Sequence, residues 1–252
     1  MRRMTEESDD DERMTRLSKD RYERPLPRRF YKTVSIADDN TILLDGRVVK
    51  TPMKAVLRLP TRGLAEAVVK EWEAQDKFIN PGTMPVTRYA NTALDRAASE
   101  RNSVLDEIAR YAGSDLVCYR ADRPPALVQL QKLHWNPILT FAHKTLGAEI
   151  SATIGVVHME QPTMAIAKLR DAAATLDNYR ITALFNLTTL TGSALLSLML
   201  IHRAISPEVA WAAAHVDEDY QIAEWGWDDE ARARRAGRRQ DFDGLVTFIN
   251  LL

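Results

Sequence analysis

The spacing of apolar residues changes along the chain from a period of two to a period near 3.6, with the change close to residue 60. Alternation in the first part predicts strands, and Asp45-Gly46 predicts a tight hairpin turn because both turn positions need a positive φ. The predicted strands are 30–36, the hairpin pair 42–44 and 48–49, and 55–59. This part of the chain is therefore expected to form a small antiparallel sheet.

A helical pattern begins after the sheet. Thr61 is a good N-cap for a helix that reaches Gln75, and Leu64, Val68 and Trp72 share the face that would cover the sheet. Further helices are predicted at 86–98, 100–112, 126–146, 162–176, 180–204, 207–225 and 228–252. Pro137 should kink or divide the third of these, and a short segment at 149–154 favours an extended chain.

The predicted fold class is α+β, with a β-rich part, its covering helix and a larger all-α bundle. The loop at 80–85 contains two prolines and a glycine, which is typical of a domain boundary. We therefore expect a charged mobile tail at 1–27, a β-rich N-terminal domain at 28–82 and an α-helical bundle domain at 83–252.

Composition narrows the class of protein. The 252 residues are 45% hydrophobic and 27% charged with a formal net charge of -1, as in an ordinary globular protein without a global basic field. A single cysteine, Cys118, excludes an intrachain disulfide and favours a reducing compartment. The first residues lack the apolar core of a signal peptide, and their acidic run at 6–12 is unlike an organellar presequence. Polar residues interrupt the most apolar window, 183–201, so no membrane insertion is expected.

Motifs for catalysis are weak throughout the sequence. There is no phosphate-binding glycine loop, and Thr191-Gly192-Ser193 lacks the second glycine of a nucleophile elbow. Gly192 and Ser193 are interpreted as small residues that allow close helix packing. His215 and Asp219 could join remote groups at a metal. The sequence thus predicts no cofactor. An enzyme whose site is assembled from scattered Asp, Glu and His residues, hydrolase-like and metal-assisted, remains the alternative.

The segment 216–230 combines seven carboxylates and no Lys or Arg with Trp225 and Trp227. A solvated helix face has no use for two Trp, whereas the centre of a protein interface favours Trp and an acidic rim would attract a basic partner. On a helix, Asp217, Gln221 and Glu224 form one polar row, and Glu218 lies beside Trp225. A two-sided helix inside a bundle, with its acids simply solvated, is the competing interpretation.

Helical spacing also arranges the segment's apolar residues on two opposite sides. Trp211, Ile222 and Trp225 are expected on one side, facing away from Val209 and Val216.

Five arginines follow in the last predicted helix, which raises the possibility of nucleic-acid binding. The upstream acids cancel the field that phosphate binding needs, so we expect no nucleic-acid partner. Pairs four residues apart, Asp228 with Arg232 and Glu230 with Arg234, predict a helix that satisfies its own charges. The arginines are Arg232, Arg234, Arg235, Arg238 and Arg239.

Seven groups of short motifs occur in a fixed order and together resemble one family, the assembly chaperones for the α subunit of the F-type ATP synthase. The motifs are Arg29-Phe-Tyr-Lys32, Leu44-Asp-Gly-Arg47 with Lys50-Thr-Pro52, Glu71-Trp72, Met84-Pro85-x-Thr87 with Asn91-Thr92-Ala93-x-Asp95, Cys118-Tyr-Arg120, Trp135-x-Pro137 and Gln221-x-x-x-Trp225-Gly226.

This resemblance implies a non-enzymatic chaperone that binds the free α subunit and assists assembly of the catalytic hexamer. It also implies that an acidic residue before the Gln-x-x-x-Trp-Gly motif matters for function, and here the matching residues are Asp217, Glu218 and Asp219. We expect the protein to be monomeric when free and to act in the bacterial cytoplasm, or in the mitochondrial matrix if the source is eukaryotic. The predicted partner-binding residues are Asp217, Glu218, Asp219, Gln221, Glu224 and Trp225.

Overall fold

A computed structural model describes residues 25–252 of the chain. The tail predicted for residues 1–27 lies outside the described residues, apart from its last three. The described part combines a three-stranded antiparallel sheet with a larger helical region, so the predicted α+β class is confirmed.

The sheet consists of β1 (Val34–Ile36), β2 (Ile42–Leu44) and β3 (Arg47–Val48), in that order. The turn between β2 and β3 has the predicted geometry, with φ of 48° at Asp45 and 75° at Gly46. The first strand is shorter than predicted because the backbone N–H groups of Lys32 and Thr33 donate to the Asp45 carboxylate, at 3.0 and 2.8 Å, and not to a neighbouring strand. The predicted strand 55–59 contributes isolated bridges at Val56 and Arg58.

The covering helix, α1 (Arg62–Glu73), begins and packs as predicted. The Thr61 side chain caps it by accepting a hydrogen bond from the Leu64 N–H, and Leu64, Ala65 and Val68 are buried against the sheet. Its end lies slightly before the predicted Gln75. The Gln75 side chain is buried and instead fixes the loop that follows, by accepting from the Asn80 N–H at 2.7 Å.

The rest of the described chain contains nine further α-helices and one small parallel sheet. The helices are α2 (Pro85–Ser99), α3 (Arg101–Gly113), α4 (Pro125–Leu146), α5 (Thr163–Ala174), α6 (Asn178–Thr191), α7 (Ala194–Ile201), α8 (Pro207–Ala214), α9 (Val216–Trp225) and α10 (Asp229–Asn250). The strands β4 (Tyr119–Arg120) and β5 (Thr153–Ile154) pair in parallel, so two residues of the predicted 149–154 segment are extended.

Two predicted helices are each divided in the structure. Gly192 ends α6 in the left-handed conformation at φ 73°, and Ser193 then caps α7 by accepting from the Leu196 N–H. The prediction that both residues serve helix packing was therefore wrong, because they form the break between two helices. The predicted helix 207–225 breaks at His215. Pro137, in contrast, leaves α4 continuous, since it is exposed and water can solvate the carbonyl that loses its helical donor.

Two carboxylates, the half-buried Glu71 and the buried Asp115, connect segments that are distant in the sequence. Glu71 of α1 accepts from the N–H groups of Val86 and Thr87 at 2.8 and 2.7 Å, which satisfies the first turn of α2. Asp115 is completely buried. It accepts from the Val117 N–H in the turn after α3, at 3.2 Å, and from the Leu195 N–H at the start of α7, at 3.0 Å. A domain boundary at residue 82 remains a prediction. Glu71, which precedes it, is hydrogen-bonded to Val86 and Thr87, which follow it.

We expect Asp115 to make stability depend on pH. Burial raises the pKa of its carboxyl from 3.8 to about 6, although hydrogen bonds from Ser193 and from backbone N–H groups oppose this. The folded state therefore holds the proton more tightly than the unfolded state does. The stabilisation is complete below pH 3.8 and is lost as the pH rises through about 6, at roughly 1.4 kcal/mol per unit of pKa difference.

The measurement is urea unfolding of the wild type and of Asp115→Asn between pH 4 and pH 7. The free energy of unfolding of the wild type, minus that of the variant, should fall across this range. Asp76→Asn changes an exposed carboxylate and is the matched control. A difference that stays constant or rises with pH would contradict the prediction.

Candidate partner-binding surface

Most residues of the seven motif groups interact with the fold itself. Asp95 accepts from the Thr51 hydroxyl at 2.5 Å and from the Met53 N–H at 3.1 Å, which joins α2 to the loop after the sheet. The Glu71 carboxylate also accepts from the Thr87 hydroxyl at 2.7 Å. These contacts engage the polar groups of Thr51, Glu71, Thr87 and Asp95 within the fold.

The motifs in the helical region show the same behaviour with one exception. The Arg120 guanidinium lies 5.1 Å from the ring centre of Trp135, and the Trp135 Nε1–H donates to the Ala213 carbonyl at 2.7 Å. Trp225 is the exception, because 79% of its surface is exposed at the end of α9. Gln221 is exposed one turn earlier, and Gly226 ends the helix with φ 82°. Among the motifs of the helical region, Gln221-x-x-x-Trp225-Gly226 is thus the one whose large aromatic residue contributes little to the core. Phe30 of the first motif, 74% exposed, is its counterpart in the β-rich part.

The three adjacent acids before this motif are less free than the sequence suggested. Asp217 is half-buried and accepts from the Nε2 of Gln131, a buried residue of α4, at 2.7 Å. Glu218 lies 3.2 Å from Nη1 of Arg235, and Asp219 pairs with Nη2 of the same guanidinium. All three acids therefore help to attach α9 to α4 and α10.

Arg235 is the central cation of this arrangement, and its side chain is 13% exposed. Its guanidinium lies 5.6 Å from the ring centre of Trp211 and 5.8 Å from that of Trp227. A cation enclosed by two aromatic faces and two carboxylates is well compensated. Sequence analysis predicted that Arg235 lies in a helix whose charges pair within that helix. It missed the pairs with Glu218 and Asp219, because α9 and α10 meet only through the turn at 226–228.

The predicted arrangement of the apolar faces was partly wrong. Trp211 and Trp225 were expected on the same side of one long helix, but the break at His215 buries Trp211 and leaves Trp225 exposed. Val209, expected opposite to them, is half-exposed. Glu224 follows the prediction of an exposed acid, and it forms no ion pair with any residue in 25–252.

His215 does not pair with Asp219 as the metal alternative requires. Its ring is buried and lies 3.9 Å from that of Trp211, its Nδ1 is 2.8 Å from the Trp211 carbonyl, and its Nε2 is 4.0 Å from Glu218. Burial lowers the pKa of His215. Among residues 25–252, no cluster of three or more His, Cys, Asp or Glu side chains is arranged to hold a metal ion.

The terminal arginines are engaged within the protein. Arg234 pairs with Glu230 at 2.7 Å, as predicted. The predicted pair of Asp228 and Arg232 is not formed, because the Asp228 carboxylate caps α10 by accepting from the Ala231 N–H, while Arg232 lies 3.6 Å from Asp229. Arg238 donates to the Leu190 carbonyl and Arg239 to Asp243, both at 2.8 Å.

Comparison with known proteins identifies the family. The ATP12 chaperone protein family matches residues 28–143. The crystal structure of the Atu1473 protein from Agrobacterium tumefaciens is similar at 43% identity, covering 90% of this chain and 87% of that one, with a TM-score of 0.83. Atp12 from Paracoccus denitrificans matches at 38% identity over 89% of this chain and 98% of that one, also with a TM-score of 0.83. The chain belongs to the ATP12 chaperone family.

A mutant of the Paracoccus Atp12 in which lysine replaces an aspartate has a similar structure, with a TM-score of 0.84 at 38% identity over 89% of this chain and 97% of that one. Membership of the ATP12 family makes this protein a non-enzymatic factor in ATP synthase assembly. The enzyme alternative is therefore set aside. In residues 25–252, no helix combines the length and the apolar character that crossing a membrane requires.

The ATP12-family protein should respond differently to charge reversal at two acids of α9. Glu218→Lys places a cation against the nearly buried Arg235 and should lower the free energy of unfolding by about 2 kcal/mol. The expected loss is smaller than for a fully buried pair, because one third of the Glu218 side chain is exposed to water. Glu224→Lys should stay within about ±0.5 kcal/mol because Glu224 is exposed. Urea unfolding of both variants tests this, and equal stability of the two would show that the Arg235 pairing contributes nothing.

Proposed function

We propose that this ATP12-family protein binds the free α subunit of the F-type ATP synthase and holds it until it pairs with the β subunit. Family membership supports a role in ATP synthase assembly, and the observation that favours a particular contact surface is the exposure of Trp225. A large aromatic residue that is mostly exposed stabilises the free protein little. Its burial against a partner would contribute as interface hot spots do.

The surroundings of Trp225 suit a partner that is basic and apolar. Glu224 and Asp228 are exposed near it in the sequence and form no ion pair within residues 25–252, whereas Asp229 and Glu230 pair with Arg232 and Arg234. Such an acidic rim increases the rate of encounter with a positive surface and disfavours partners of the wrong charge. The proposed contact on the α subunit is therefore an apolar recess with a positive rim.

Asp217, Glu218 and Asp219 have a different role in this proposal. Their contacts with Gln131 and Arg235 hold α9 in place, so we assign them the positioning of Trp225 more than direct contact with the partner. Gln221 and Glu224 are exposed on α9 and remain candidates for direct contact. Charge reversal at the paired acids would then weaken binding by shifting the helix that carries Trp225.

The physical need for such a chaperone follows from subunit assembly. An α subunit without β exposes apolar surface that would associate with other copies, and a chaperone must cover it and yet be displaced. Competition by the β subunit would release the α subunit by mass action. The similar proteins are bacterial, which favours the bacterial cytoplasm as the site of action.

Co-expression tests the proposal directly. The α subunit should be recovered in a larger soluble fraction when this protein is present, and it should be retained when the chaperone is pulled down. Expression of the α subunit with an unrelated soluble protein at the same level is the control. No increase in soluble α subunit and no retention would sink the proposed function.

Two surface variants test the position of the contact. Trp225→Ala and Glu224→Lys should each reduce retention of the α subunit, the first by tenfold or more, as for a hot spot of roughly 2 kcal/mol. Neither should lower the melting temperature, since both side chains are exposed. The matched controls are Phe30→Ala, an aromatic residue that is 74% exposed in the β-rich part, and Glu160→Lys. Loss of binding in Phe30→Ala but not in Trp225→Ala would move the contact to the β-rich part.

A further inference from the structure

A second feature on the surface is a groove of about 370 Å³ between α4 and the small parallel sheet of β4 and β5. Its apolar wall consists of Val128, Leu139, Ala152 and Ile154. Neither the motif contacts nor the acidic surface of α9 explains it. Pockets with an apolar lining and a few polar groups are the usual form of binding sites in proteins.

Arg120 also lines this groove, and its guanidinium is incompletely compensated. Its Nη1 donates to the Gln131 carbonyl at 3.0 Å, and its plane lies over the Trp135 ring. Its Nε and Nη2 are buried and have no hydrogen-bond acceptor among residues 25–252. Within the same residues, Arg120 forms no ion pair, unlike the enclosed Arg235.

An arginine in this situation is costly to the free protein. A guanidinium has five N–H donors, and burying a charged donor without an acceptor removes hydration that nothing replaces. Native proteins keep few such groups, and each one requires an explanation. A carboxylate could accept two parallel hydrogen bonds from the guanidinium and neutralise its charge, so this is the acceptor that the site lacks.

We propose that the groove receives an acidic and apolar segment of the bound polypeptide, with a carboxylate paired to Arg120 and an apolar side chain against Val128 and Leu139. This inference rests on the proposed function, since it adds a second contact to the same client. The groove is lined by two cations, Arg120 and Lys132, and by one acid, Asp122. Its charge therefore favours an acidic ligand.

The surroundings of the groove extend the same surface. Ile154 at the end of the wall is 70% exposed, and Val156 and Val157, which follow it, are 92% and 79% exposed, which is unusual for three apolar side chains so close in sequence. Because the two unpaired nitrogens of Arg120 are buried in the free protein, the proposed pairing requires this segment to move outward when the ligand binds. The attachment to be loosened includes the Gly155 N–H, which donates to the Arg120 carbonyl at 2.8 Å.

Gln131 connects the groove to the first turn of α9, the helix that ends at Trp225. Its side-chain oxygen accepts from the Ala121 N–H at 2.8 Å beside the groove, and its Nε2 donates to Asp217 of α9. The groove and the start of α9 therefore lie on either side of one buried amide. The α subunit would contact the acidic end of α9 through basic residues and the cationic groove at Arg120 through acidic residues.

The first test separates a ligand-binding role of Arg120 from a structural one. In Arg120→Met the apolar stem is kept and the uncompensated charge is removed. The melting temperature of the free protein should stay unchanged or rise, whereas retention of the α subunit in the pull-down should fall tenfold or more. A fall in melting temperature of more than about 5 °C would show that Arg120 stabilises the fold, and would overturn the inference.

The second test uses changes at the groove that leave the core intact. Lys132→Glu and Ile154→Ser should each reduce retention of the α subunit by fivefold or more, and Lys144→Glu, on the same helix outside the groove, should not. Normal retention in both groove variants, while Trp225→Ala is impaired, would overturn the groove alone. Failure of the wild type to retain the α subunit would overturn the proposed function as well.

Discussion

The buried carboxylate of Asp115 is the interaction on which the helical part of the structure depends. It satisfies N–H groups in the turn that follows α3 and at the first turn of α7, whose first seven residues are all buried. A helix start in such a place has no water to satisfy its donors, so a side chain must do it. The same turn leads directly into Cys118 and β4, and therefore sets the position of Arg120.

The half-buried polar pairs also explain why short sequence motifs are spread over the whole chain. Asp95 with Thr51, and Glu71 with Thr87, join segments that the hydrophobic pattern alone would leave free to slide. Apolar contacts are not directional, whereas a hydrogen bond fixes one arrangement of two segments. Since these pairs occupy polar groups in three of the seven motif groups, the exposed ring of Trp225 and the unpaired nitrogens of Arg120 remain as candidates for binding.

The acids of α9 show that the number of charges in a segment does not reveal which of its side chains are free to bind a partner. Seven carboxylates in fifteen residues suggested an open acidic surface. In the structure, Arg235 neutralises two of them and Gln131 binds a third, so the free acidic surface begins at Glu224 and continues into the turn before α10. A partner of this ATP12-family protein therefore meets the end of α9 more than its beginning.

The sequence by itself determined the local elements and the family. The Asp45-Gly46 turn, the Thr61 cap and the α+β class follow from φ requirements, capping and periodicity, which are properties of neighbouring residues. The breaks at Gly192 and His215 were missed because the apolar pattern continues across both, and helical spacing alone then misplaced Trp211. The tertiary structure alone decided that Glu218 and Asp219 meet Arg235 and that two nitrogens of Arg120 lack an acceptor, because those pairings depend on where distant helices pack.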